Sequence, residues 1–316
     1  MTDIILHHDD LSSFSEKIRL ALGYKGLAWH SVVVDAVPPR PLLAALTGGY
    51  RRLPVLQMGA DIYCDTEVIF RALERVKPTP TLYPTGEGIA KALSLWWDRA
   101  TWKASIGVLV AHIGEHWPEA LLTDRKENYL GYDISTQGMA ADFPAYVQQL
   151  VAVSGWLTSI LHENGPYLTG AKLSAADLTC YHSLWLLRAN AGTAVIDALL
   201  HLSPEIIDWM GRIAAIGHGT KSALSPDAAL AIAKAATPTD QGLGDNDPSG
   251  LRLGSPPTIT RGCPSPVHLW VPIPKRWSWR QAVPLLVACM CISRARGFRS
   301  CPPNHNPHRM RPKSTQ

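Results

Sequence analysis

Up to residue 76 the chain alternates short apolar runs with segments of helical period, and past a Pro-rich break that alternation stops. Ile4-Ile5-Leu6, the β-branched stretch 29–34, Val55-Leu56-Gln57 and Ile62-Tyr63-Cys64 read as strands, while residues 15–23, 42–46 and 66–76 read as helices. The predicted order is βαβ-α-ββα, an α/β unit. Phe14, Ile18, Ala21 and Leu22 fall on one face of the first helix, and Gly23 and Gly26 are predicted to stop it.

Pro78, Pro80, Pro84 and Gly86 mark a linker. Beyond it apolar residues keep a helical period, as in Leu150, Leu157 and Leu161 or Ile206, Met210 and Ile213, so residues 86–236 are expected to be all-helical. From residue 237 to 316 the composition turns to Pro, Gly, Ser and Arg without sustained periodicity, and disorder is predicted. No Asp or Glu follows Asp247, an abrupt change that suggests translation from an altered reading frame or a retained intron.

A chain of 316 residues with 46% hydrophobic and 18% charged residues can bury a substantial core. Its net charge of +4 belongs largely to the tail, which lacks the ordered aromatic spacing of a nucleic-acid binder; no nucleic-acid partner is expected. The apolar stretch 282–292 is interrupted by Pro284 and is shorter than the roughly 20 residues that span a bilayer, and residues 1–8 have no signal-peptide pattern. Neither a membrane partner nor export is expected. Of six cysteines only Cys64 and Cys180 fall in the part read as folded, which excludes a disulfide framework and fits a cytoplasmic location.

Four motifs carry a family resemblance. The turn Asp10-Leu11-Ser12-Ser13-Phe14-Ser15-Glu16-Lys17-Ile18-Arg19-Leu20 resembles that of glutathione S-transferases, in which Ser, Cys or Tyr precedes an x-Phe-x-x-Lys-x-Arg run. Arg52-Leu53-Pro54-Val55 is similar to the family's cis-proline turn, Cys64-Asp65-Thr66 to its acidic-hydroxyl pair, and Leu173-Ser174-Ala175-Ala176-Asp177-Leu178 to the cap of its central helix. The resemblance implies a thioredoxin-like, glutathione-binding domain over 1–80, an all-α domain over 86–236, glutathione as co-substrate and a homodimer. It covers residues 3–235.

Glutathione chemistry needs a thiolate near neutral pH, whereas a free thiol titrates near ~8.5. Ser12, just before the first helix, can donate a hydrogen bond to the bound sulfur while the positive helix end favours the anion. Ser13 is the second catalytic candidate, but Ser13-Phe14-Ser15-Glu16 is also a capping box, a competing structural role. The resemblance implies that the backbone of Leu53, before a cis Pro54, pairs with the cysteinyl unit. Asp65 and Thr66 suit the ammonium and a carboxylate, and Arg52 or Arg51 either reaches the glycyl carboxylate or is simply solvated. The function implied is conjugation to, or isomerisation of, a small apolar electrophile; the alternative is a noncatalytic binding or scaffold protein that keeps the fold.

Ser174 and Asp177 form a helix cap whose role is folding. His112-Ile113-Gly114-Glu115-His116 matches a zinc-peptidase pattern with both imidazoles on one helical face, but it lacks a third ligand, and no metal is expected there or at Cys289-Met290-Cys291. Trp96, Trp97, Trp156 and Trp185 are expected in the core or a dimer contact. Trp102, His112 and Trp117 are candidates for the electrophile pocket.

Overall fold

The computed structural model describes residues 3–239. The predicted disorder of 237–316, the Arg-rich tail and Cys289-Met290-Cys291 therefore lie outside the described residues, apart from residues 237–239, where the Thr239 N–H donates to Asp61 at 3.1 Å.

Strand β1 (Ile4–His8), helix α1 (Ser13–Tyr24) and strand β2 (Ala28–Val33) form the first crossover, and β1 and β2 pair in parallel. Helix α2 (Pro41–Thr47) precedes the antiparallel hairpin of β3 (Val55–Met58) and β4 (Asp61–Cys64), and α3 (Thr66–Val76) closes the unit. β3 also runs antiparallel to β1, with Val55 opposite His7. β1 is buried along its whole length, and its alternate residues serve both faces of the sheet: Ile4 and Leu6 enter the main core, while Ile5 meets Val32 and Ala229 on the other side.

Helices α4 (Glu87–Ile113), α5 (Glu119–Arg125), α6 (Thr136–Met139), α7 (Phe143–Asn164), α8 (Ala175–Ala191), α9 (Thr193–Leu199) and α10 (Pro204–Ala214) follow. α8 is the central helix. It packs against α4, α1, α9 and α10, and nearly every side chain in its first three turns is buried. A short 3-10 turn (Gly114–His116) follows α4, so His112 and His116 do not share a regular helical face as the zinc-peptidase pattern required. Among the described residues no three His, Cys, Asp or Glu side chains converge on a metal position, and no helix is long and apolar enough to cross a membrane.

The largest departure from the expected architecture is at the end of the described chain. The C-terminal part is helical as expected apart from β5 (Thr220–Ala223), which pairs in parallel with β2 and gives a five-stranded sheet of order β4-β3-β1-β2-β5. Helix α11 (Pro226–Ala235) then covers the sheet face that α2 also covers, burying Ala229 and Ala233. This return also explains Gly23. The expected helix stop lies inside α1, and a Cβ there would meet the Gly217 carbonyl oxygen at 2.1 Å. A glycine is needed because a second backbone crosses the helix at that point.

Candidate active site at the start of the first helix

The turn from β1 into α1 is held by Arg19, which is buried in the second turn of the helix and reaches back. Its Nη1 donates to the Asp9 carbonyl at 3.2 Å and to His8 Nδ1 at 3.1 Å, and its Nη2 donates to the Asp10 carbonyl at 3.0 Å. Glu16 neutralises it at 2.8 Å and also accepts from His218 on the returning C-terminal segment. Glu16 is therefore occupied by Arg19 and His218 and does not reach back to the helix start. The N-cap is Ser12, whose Oγ accepts from the Ser15 N–H at 3.3 Å, and the expected Ser13–Glu16 capping box is absent. Ser13 is the first helical residue, with its hydroxyl buried and without a hydrogen-bond partner among the described residues.

Both serines line the same cleft, and what differs is the state of their hydroxyls. The half-buried Ser12 accepts one hydrogen bond through an oxygen lone pair and keeps its own proton to donate. The N–H groups of Ser13 and Phe14 lie in the first turn, where no intrahelical acceptor precedes them.

Leu53–Pro54 is cis, and Leu53 lines the same cleft. Val55 pairs with both His7 and Cys64, so the end of β1, the Leu53-Pro54 turn and the end of β4 meet at one edge of the sheet. Asp65 follows β4 there. It caps α3 by accepting from the Glu67 N–H at 2.9 Å, and holds φ 80°, a conformation that non-glycine residues rarely adopt and that costs about 1–3 kcal/mol. The next residue, Thr66, is buried. Pro54, Asp65 and Thr66 sit at this edge and do not line the cleft itself.

The cleft holds about 240 Å³ and lies between the sheet edge and the helical part. Its floor is apolar, with Trp102, Ile106, Leu109 and Trp117. Arg40, Arg51, Arg52 and Arg125 line it as well. Of the three pocket candidates read from the sequence, Trp102 and Trp117 are in place; His112 is exposed, hydrogen-bonds the Val108 carbonyl at 2.8 Å and does not line the cleft. Arg40 and Arg125 were not foreseen, because the first precedes α2 and the second ends α5, and only the fold brings them together.

The profile of the glutathione S-transferase N-terminal domain matches residues 6–81. A solved GST-like protein from Pseudomonas syringae is 36% identical, with the alignment covering 76% of each chain and a TM-score of 0.60. The chain belongs to the glutathione S-transferase superfamily. A glutathione transferase from Phanerochaete chrysosporium, 18% identical over 68% of this chain and 97% of its own, shares the fold with a TM-score of 0.54. Comparison with curated proteins gave no match.

In this glutathione S-transferase superfamily member three imidazoles, His7, His8 and His182, are buried. His8 donates from Nε2 to Ser31 Oγ at 2.8 Å, while burial and then Arg19 push its pKa from 6.5 down to about 4. Burial also lowers His7, against the opposing bond to Gln57, and lowers His182, against Asp98. Each is therefore neutral when folded and takes up a proton more readily when unfolded. Their contribution is complete above about pH 6.5 and is lost as pH falls through the lowered values. The urea midpoint is expected to fall steadily between pH 6.5 and 4, followed by circular dichroism; a flat profile over that window would contradict the buried-neutral assignment.

Proposed function

We propose that this chain is a glutathione transferase in which Ser12 stabilises the thiolate of bound glutathione for attack on a small electrophile. The observation that supports the reading is Ser12 on the cleft lining, where its Oγ accepts from the Ser15 N–H and keeps a proton to donate at the positive end of α1. Ser13, with its hydroxyl buried, acts through its backbone N–H and the shape of the turn.

Glutathione supplies the nucleophilic sulfur, and residues 1–80 hold it. The Leu53 backbone beside cis-Pro54 pairs with the cysteinyl unit, Asp65 takes the ammonium, and Thr66 with the first-turn N–H groups of α3 takes the γ-glutamyl carboxylate. Arg52, which makes no hydrogen bond among the described residues and lies 5.4 Å from the centre of the Tyr129 ring, takes the glycyl carboxylate. Residues 86–236 form the electrophile half, where the apolar part of the substrate rests on Trp102 and Trp117.

Two further properties belong to the same reading. Cys64 and Cys180 are free and buried, as suits a reducing cytoplasm. The exposed pair Trp96 and Trp156, on α4 and α7 with ring centres 5.7 Å apart, supports a two-fold dimer through these helices; a monomeric mass by light scattering would contradict it.

The test is calorimetry of glutathione binding combined with turnover of 1-chloro-2,4-dinitrobenzene. Ser12→Ala should retain glutathione affinity within a few-fold and lose roughly 10- to 100-fold in kcat/KM, the value of one hydrogen bond to a charged sulfur. Ser12→Thr, which keeps the hydroxyl, should recover most of the loss. Full activity in Ser12→Ala would remove Ser12 from the chemistry, and absence of glutathione binding in the wild type would point to a scaffold.

A further inference from the structure

The segment that returns to the sheet also reaches the turn that carries Ser12. His218 stands between Gly217 and Gly219, whose φ values of 64° and 67° lie in the left-handed region that glycine adopts without strain. Its backbone is anchored, because the buried Trp29 donates from Nε1 to the His218 carbonyl at 2.8 Å and β5, which begins immediately after Gly219, pairs with β2. From this fixed point the imidazole meets α1, with Nε2 donating to Glu16 Oε1 at 3.0 Å.

Glu16 is held from two sides. Arg19 donates to its Oε2 from Nε and Nη2, at 3.0 and 2.8 Å, while Oε1 accepts from His218 alone among the described residues. The other three N–H groups of Arg19 reach His8 Nδ1 and the carbonyls of Asp9 and Asp10, so all five of its donors are engaged. At the Asp9 carbonyl this set of contacts meets the catalytic candidate, since the Ser12 N–H donates to the same oxygen at 3.2 Å. Four hydrogen bonds therefore connect the return segment to Ser12: His218 to Glu16, Arg19 to Glu16, Arg19 to Asp9 and Ser12 to Asp9. The return segment supplies no residue to the cleft lining, so its route to the chemistry runs through this turn. A guanidinium that grips two loop carbonyls is aimed by its counter-ion. Loss of the imidazole frees the Glu16 carboxylate to turn, and the grip of Arg19 loosens with it.

We propose that His218 is a positioning residue for the reaction, fixing the Ser12 hydroxyl against the bound sulfur through Glu16, Arg19 and the Asp9 carbonyl. The proposal rests on the reading of Ser12 given above. It assigns His218 no contact with glutathione or with the electrophile.

The titration of the bound glutathione thiol, followed by ultraviolet absorbance in the full chain, separates positioning from stability, because a variant that is merely less folded loses signal without moving the thiol pKa. His218→Ala is expected to raise that pKa by about 0.5–1 unit and to lower kcat/KM roughly three- to tenfold, with little change in glutathione affinity. His218→Gln, whose amide can donate to Glu16, should restore both. Added to Ser12→Ala, His218→Ala should shift the thiol no further, since its effect passes through the missing hydroxyl. An unchanged thiol pKa in His218→Ala, with Ser12→Ala still raising it, would overturn the proposal and leave the Ser12 reading standing. A shift that glutamine does not rescue, or that adds in full to that of Ser12→Ala, would overturn it as well. An unchanged pKa in Ser12→Ala, or no binding of glutathione to the wild type, would overturn both. Should His218→Ala not fold, His218→Met, which fills the space without a donor, takes its place under the same criteria.

Discussion

Asp177→Ala is expected to lower the melting temperature by about 10 °C while leaving glutathione affinity nearly unchanged. Asp177 is completely buried at the start of α8 and accepts four hydrogen bonds. The Leu168 N–H and Trp209 Nε1 reach one oxygen at 2.8 and 2.9 Å, and the Ser174 N–H and hydroxyl reach the other at 2.8 and 2.7 Å. Burial pushes the carboxyl upward against the pull of these donors. Alanine would leave all four donors without an acceptor in a dry interior. At about 1–3 kcal/mol for each unsatisfied group, reduced by relaxation, the loss is on the order of 4 kcal/mol. For a domain of this size each kcal/mol shifts the midpoint by about 2–4 °C. Scanning calorimetry of the variant checks the figure, and a drop in affinity larger than the drop in stability would show that Asp177 acts on the site.

The second large effect belongs to Asp98 on α4. Lys17 is fully buried in α1 and its Nζ lies 3.1 Å from Asp98, whose other oxygen accepts from His182 Nε2 at 2.8 Å. Burial alone would raise the Asp98 carboxyl, but Lys17 and His182 override it and hold the pKa at about 2. Asp98→Ala would leave the Lys17 ammonium without an ion-pair partner within 4 Å among the described residues, against the ring faces of Phe14 and Phe70 at 5.2 and 5.8 Å and the more distant Glu67. Removing one partner of a buried pair costs about 3–5 kcal/mol. Adding Lys17→Met to Asp98→Ala should recover most of that, because the uncompensated charge goes with it. Urea unfolding of the single and double variants makes the comparison; a double variant no more stable than the single would contradict the ion-pair account. The depressed Asp98 pKa also means that this contribution, complete above about pH 4, is lost as pH falls toward 2.

These two carboxylates show how unevenly the molecule is legible from its residues. Asp177 could be read directly, because a Ser-x-x-Asp cap uses groups three residues apart, although its bond to Trp209 could not. Lys17 and Arg19 were visible only as family spacing. Their physical role depends on Asp98 and His182 in the helical part and on carbonyls of the preceding turn. The βαβ-α-ββα order was readable because β1, β3 and the buried face of α3 carry strong apolar periods. β5 escaped because Thr220, Lys221, Ser222 and Ala223 are all exposed and carry no alternation; its backbone pairing with β2 is a tertiary event.

The site divided in a similar way. Ser12, Ser13, Leu53 and Arg52 line one cleft, whereas Pro54, Asp65 and Thr66 lie beside it, with Asp65 capping the adjacent helix. The choice of cap was misread by one residue, since Glu16 satisfies the local capping pattern in sequence but is claimed in space by Arg19 and by the distant His218. Of the arginines on the cleft, Arg51 and Arg52 stand in the turn read from the sequence, whereas Arg40 and Arg125 had no local signature.

The most direct measurement is the ultraviolet absorbance of glutathione bound to the wild-type protein, followed as a function of pH. A thiol pKa about one to two units below its value in free glutathione, restored toward that value by Ser12→Ala, is the predicted result. Bound glutathione that titrates as it does in free solution would contradict thiolate activation by Ser12.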